Sequence, residues 1–374
     1  MERIHIRLPW AAARLWTAAS ACGLAFFAFI LSAQPVRADH AAPPDFRAHF
    51  LTLCDLAAAK VSDENTLGPF FVDSYGVRAL CAAYDLTGDP NYLNACRAWS
   101  RRMVRYQDEM IPRGAYYMHY GRKPGEKTGD WYAADSSSIG MAVLATAIRC
   151  HGSEQKLFLK SAEKFANLVI KNYVNSSGGV SDGLLHQSSN AWWCSSGLFG
   201  SFLFNLYANT GDKHYLNTAL RLTDWLNQLD LTKDQPFPLS QQGPAMIMYV
   251  MENYSSGWPY ISKDDEIKKA AADKVSWCLD WIRGQQQKLM AQRDWPPTIG
   301  WGMKFGGLPF HEYVFARYWS DDQYLAAGDA EMERLAPVVF TDNPPQMTQL
   351  PFFMLMSYAE RLDPGDMYRS GLRH

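Results

Sequence analysis

The stretch Ser74 to Gln107, SYGVRALCAAYDLTGDPNYLNACRAWSRRMVRYQ, contains the repeating unit of the chain. Its first part, Ser74 to Leu86, is apolar on almost every side, whereas Asn91 to Gln107 keeps its apolar residues to one stripe and carries Arg on the other. A helix that is apolar all round must be covered on every side, and a striped one borders water. The stretch therefore predicts a hairpin of one buried and one exposed helix. Thr87-Gly88-Asp89 supplies the turn, because Gly can end the first helix with φ > 0 and Asp89 can cap the second.

The same pairing recurs along the chain. Ser136 to Arg149 is apolar nearly all round and Glu154 to Val174 is striped; Trp193 to Asn209 and Lys213 to Leu229 repeat the contrast. Gln242 to Tyr254 with Asp264 to Leu289, and Leu308 to Trp319 with Asp322 to Leu335, follow less cleanly. The last buried helix, Thr348 to Arg361, has no successor, and the striped helix Phe46 to Val61 has no predecessor. Pairing these two closes a ring of six hairpins. The turn motif itself returns 123 residues on as Thr210-Gly211-Asp212, followed both times by Tyr-Leu-Asn, with a weaker echo at Asp321-Asp322-Gln323-Tyr324-Leu325. Repeats of this length also build open solenoids, but those need end repeats with a polar outer face, and none of these inner helices has one. Gly and Pro clusters at Gly178-Gly179, Pro236 to Pro238, Trp295 to Pro297 and Pro344-Pro345 read as loops, leaving little β structure.

The N-terminus reads as a secretory leader: Arg3, Arg7 and Arg14 precede an apolar run from Thr17 to Leu31, and Val36-Arg37-Ala38 offers a cleavage site. Residues 1–38 are thus expected to be removed, leaving 336 of 374 residues as one domain, 39–374, exported to the periplasm or outside. No later run approaches the length of a membrane span, so no stable membrane insertion is expected after leader removal. With 36 basic and 38 acidic residues the charge is balanced, which argues against nucleic acid as a partner. The mature cysteines Cys54, Cys81, Cys96, Cys150, Cys194 and Cys278 are scattered, without metal-ligand spacing, and are expected as buried thiols rather than a disulfide framework. No cofactor and no metal is expected.

Loops that precede the inner helices open on one end of such a ring, so polar residues there converge. The candidates are Asp73, then Asp130 and Asp135, then His186, Gln187, Trp192 and Trp193, then His311 and Glu312, among aromatics that include Trp131 and Tyr132. Flat apolar rings beside carboxylates suit a sugar, and two carboxylates suit acid–base work on a glycosidic bond. Asp135, followed by three Ser residues, is also a candidate helix cap, and Glu312 a candidate ion-pair partner of Arg317. No GxSxG, P-loop or HExxH motif is present.

Asp73-Ser74-Tyr75-Gly76 leading to Thr87-Gly88-Asp89, Asp135-Ser136-Ser137-Ser138-Ile139-Gly140-Met141, and His186-Gln187 ahead of Ala191-Trp192 together resemble the unsaturated glucuronyl hydrolases and related rhamnogalacturonyl hydrolases, glycoside hydrolase families 88 and 105. The resemblance implies an all-α fold, the (α/α)6 barrel or six-hairpin toroid, and a glycosidase of uronic-acid-containing oligosaccharides. It implies Asp135 as general acid/base, Asp73 as the assisting aspartate, His186 as a substrate contact and Trp192 as a stacking platform. The chain departs from the family at Ser188-Ser189-Asn190, where Arg-Gly-Gln is usual. A polysaccharide lyase or sugar epimerase on the same toroid, and a non-catalytic glycan-binding protein, are the alternatives.

Overall fold

The computed structural model describes residues 41–65, 69–117, 131–181, 191–231, 243–291 and 306–365. These contain twelve helices: α1 (Phe46–Ser62), α2 (Phe70–Thr87), α3 (Pro90–Glu109), α4 (Ala133–Ala147), α5 (Gly152–Asn172), α6 (Trp193–Thr210), α7 (Lys213–Gln228), α8 (Gly243–Ile261), α9 (Asp265–Ala291), α10 (Leu308–Trp319), α11 (Asp322–Val339) and α12 (Gln349–Leu362). Among the described residues there is no strand, only isolated bridges at Arg113–Ala115 and Val174–Val180.

The even-numbered helices form the inner ring. Each packs on the next, α2 on α4, α6, α8, α10 and α12 in turn, and α12 returns to α2, while α1 lies against both α12 and α2 and completes the outer layer. The chain is therefore an (α/α)6 toroid, closed as the hairpin count predicts. Neighbouring inner helices run parallel: Ser74 meets Ser138 near the start of α2 and α4 (2.6 Å between hydroxyls), and Cys81 meets Thr146 two turns further on. The contrast between all-round and striped helices has its expected cause. Every residue from Phe70 to Ala83 of α2 is buried, whereas α3 buries one face through Tyr92, Cys96, Trp99 and Met103.

The turns behave as their residues dictate. Gly88 and Gly211 adopt φ of 73° and 70°, and the Asp89 and Asp212 side chains accept the backbone N–H of Asn91 and His214 at 2.9 and 2.8 Å. Thr87 and Thr210 close each motif by donating to Ala83 O and Leu206 O. Between α6 and α8 the backbones approach closely: a Cβ on Gly197 would sit 2.6 Å from Tyr249 O.

Several helix starts differ from the sequence reading. α2 begins at Phe70 and α4 at Ala133, so Asp73 and Asp135 lie inside first turns rather than before them, and the N-cap of α4 is Tyr132. Asp135 is therefore not the cap; Ala133, Ala134 and Asp135, which read as loop sequence, are already helical. The helix Leu308–Trp319 has the bounds read from the sequence, with His311 and Glu312 inside it, but Glu312 pairs with Arg283 of α9, not Arg317, which pairs with Glu360.

Candidate functional site

The start of α4 is the best-supplied part of the ring's N-terminal end. Asp135 occupies the third helical position and is half-buried, in a helix whose remaining residues, Ser136 to Ala147, are all buried but Ala145. Side chains in a helix lean toward its N-terminus, so a carboxylate in the first turn is carried toward the mouth of the ring. Tyr132 and Trp192, the N-cap residues of α4 and α6, are half-buried on the same end. Trp131 is buried with its ring edge-on to Tyr173 at 5.0 Å. Trp192 is fixed through its backbone N–H, which donates to Val180 O at 2.8 Å, and Val180 N–H donates in turn to Ser196 Oγ. Trp193, the first residue of α6, is buried in the core.

Asp73 has a different environment. It is completely buried, 3.7 Å from Lys60 Nζ, on the side of α2 turned to α1 and α3, where Arg102 and Trp99 also face it. Neither carboxylate oxygen has a hydrogen-bond partner among the described residues. Burial pushes its pKa above the ordinary carboxylate value, and Lys60 and Arg102 pull the other way without cancelling the effect. Lys60 is held by donating to Met347 O at 3.1 Å. Asp73 and Asp135 are thus brought to the same end of the ring, with α2 and α4 tied by the Ser74–Ser138 contact. One carboxyl is half-open and the other is sealed.

His311 does not open on this mouth. It is buried, its Nδ1 lies 2.9 Å from Ser255 Oγ, and burial and the nearby Arg78 lower its pKa to about 3, so it is neutral. Asp130, His186 and Gln187 lie outside the described residues.

The residues that the sequence reading passed over sit on the ring axis. Tyr75 and Arg78 of α2 reach across to Glu252 of α8, at 2.9 and 3.1 Å. Their sequence signal is composition: Arg78 is the one cation of α2 and Glu252 the one charged residue of α8, and buried charges require a partner. At the opposite end of the ring a cavity of about 220 Å³, lined by Asn205, Ser256, Tyr260, Arg317 and Tyr318 among others, lies where α6, α8 and α10 finish. No three His, Cys, Asp or Glu side chains cluster as metal ligands among the described residues, and no helix among them is long and apolar enough to cross a membrane.

No family model matches the chain, and no curated protein matches it in sequence. Among solved structures, the crystal structure of an unsaturated glucuronyl hydrolase specific for heparin superposes with a TM-score of 0.56 over 85% of this chain and 96% of that one, at 10% sequence identity. At that identity the likeness is one of fold, and the fold shared is the helical toroid described above.

Proposed function

We propose that this chain is an exported carbohydrate-active enzyme that releases a terminal unsaturated uronic acid from an oligosaccharide, with Asp135 as its general acid/base. The observation that carries the reading is the position of Asp135: half-open in the first turn of the second inner helix, beside Tyr132, at the N-terminal mouth of a toroid that shares its fold with a glucuronyl hydrolase. Tyr132 and Trp192 offer aromatic faces to the sugar's C–H surface, Trp131 and Trp193 form the packed wall behind them, and Asp130, His186 and Gln187 are the proposed polar contacts.

In the proposed reaction protonated Asp135 delivers its proton to C4 of the C4–C5 double bond. Water adds to C5 and returns a proton to Asp135. The C5 hemiketal opens by breaking its bond to the ring oxygen, leaving a C5 ketone and a C1 hemiacetal, and collapse of that hemiacetal to an aldehyde breaks the glycosidic bond and frees the aglycone alcohol. Asp73, sealed beneath the mouth, acts in this scheme as a positioning residue for α2 and as a source of field at the site rather than by touching the sugar. His311, being buried, is not among the proposed contacts.

The test is release of sugar from unsaturated uronyl disaccharides. Asp135→Asn is expected to lower kcat by about 10²- to 10⁴-fold, the usual contribution of a general acid, with the melting temperature nearly unchanged. Wild-type protein inert on a panel of such disaccharides overturns the hydrolase reading. For Asp73→Asn a shift in the pH profile of kcat, with KM little altered, separates a positioning role from simple loss of structure.

A further inference from the structure

We propose that Cys81 and Cys96 form a disulfide that locks the hairpin α2–α3. Their sulfurs lie 3.7 Å apart, with the Cys81 thiol directed at Cys96 Sγ, and the Cys96 thiol donates to Val77 O of α2 at 3.4 Å. Both residues are fully buried at the seam where α2, α3 and α4 meet, beside Thr146 and its hydrogen bond from Ser100. In this structure both are free thiols with their sulfurs at van der Waals distance, and the bond requires the 3.7 Å separation to close to about 2.05 Å.

The local architecture brings the thiols together early. Fifteen residues separate them, and between them stands the Thr-Gly-Asp turn, with Gly88 in the left-handed region and Asp89 capping α3. Contacts this close in sequence form before the ring closes. Afterwards both sulfurs are fully buried and out of reach of a soluble disulfide, so exchange belongs to the hairpin before it is covered.

The chemistry balances with a disulfide co-reactant such as glutathione disulfide. The thiolate of one cysteine attacks that disulfide and expels one thiolate. The second cysteine, as thiolate, attacks the mixed disulfide, forming the Cys81–Cys96 bond and expelling the other thiolate. The protein loses two hydrogens and two electrons, and the co-reactant becomes two thiols. The compartment that supplies such an oxidant is the one the leader addresses, so formation in cells rests on export, whereas the pairing itself rests on geometry alone.

Reduced, unfolded full-length protein refolded in a glutathione redox buffer, then denatured, alkylated and mapped without reductant, is expected to yield the Cys81 peptide joined to the Cys96 peptide. Both cysteines recovered alkylated overturns the proposal. Oxidised wild type is expected to melt several degrees above its reduced form, and Cys81→Ala with Cys96→Ala to melt the same with or without reductant. Should the double variant fail to fold, the reduced and oxidised wild-type samples carry the comparison, and identical melting overturns the lock. A cross-link that forms on refolding but is absent from protein isolated from its native cell overturns the disulfide as a feature of the working protein.

Discussion

His311 and Glu312 stand side by side on α10 and are driven in opposite directions by the same burial. Desolvation, with help from Arg78, takes the imidazole down to about 3, and desolvation takes the Glu312 carboxyl up to about 7 against the pull of Arg283. For His311 the folded value lies below the unfolded one, so its contribution to stability is intact above pH ~6.5 and is lost as pH falls toward about 3. For Glu312 the folded value lies above the unfolded one, so its contribution is present below pH ~4.5 and is lost as pH rises through about 7. Urea midpoints measured from pH 3 to pH 8 (a span of roughly the titration range of both groups) check this. His311→Asn is expected to flatten the acid limb, and Glu312→Gln to remove the decline between pH ~4.5 and ~7. Asp135 belongs to the same scale: adjoining residues of one helix turn can be sealed or open, and only an open carboxyl can meet a sugar.

Among the elements, the turns between inner and outer helices are the most local devices in the fold. Asp89, Asp212 and Asp321 each accept an N–H in the first turn of an outer helix, at 2.9, 2.8 and 2.9 Å. Removing one such cap by Asp89→Ala or Asp212→Ala is expected to cost about 1 kcal/mol in chemical denaturation. The third turn keeps the cap but not the glycine: Ser320 takes φ of 54° where Gly88 and Gly211 stand in the other two. A side chain in the left-handed region costs about 1 kcal/mol, so Ser320→Gly is expected to stabilise the protein by up to about that amount, offset in part by the freedom glycine adds to the unfolded chain. The same measurement on Gly88→Ala is expected to show a loss.

Across the whole molecule, Tyr75 and Arg78 on α2 and Glu252 on α8 join opposite members of the ring. The ion pair is buried on both sides, 2% and 3% exposed, so each charge depends on the other for solvation. Truncating one leaves the other stranded, and Glu252→Ala is expected to lose about 3–5 kcal/mol, read as a large fall in denaturant midpoint. This contact spans the ring among the described residues, so opposite inner helices are held to each other as well as to their neighbours.

The alternation of all-round apolar and striped helices, the recurring Thr-Gly-Asp turn and the hairpin count were sufficient to derive the ring, because each depends on periodicity and on backbone rules that act within a few residues. The end of the ring carrying Asp73 and Asp135 was legible for the same reason. What only the tertiary structure decided was which way those side chains face and what covers them: Asp73 sealed against Lys60 and α3, His311 sunk beside Ser255, Glu312 turned to Arg283 rather than Arg317. Those outcomes rest on contacts between different helices, α1 with α2, α8 with α10 and α9 with α10, and burial at such contacts sets charge and access in ways that the order of residues along one helix does not encode.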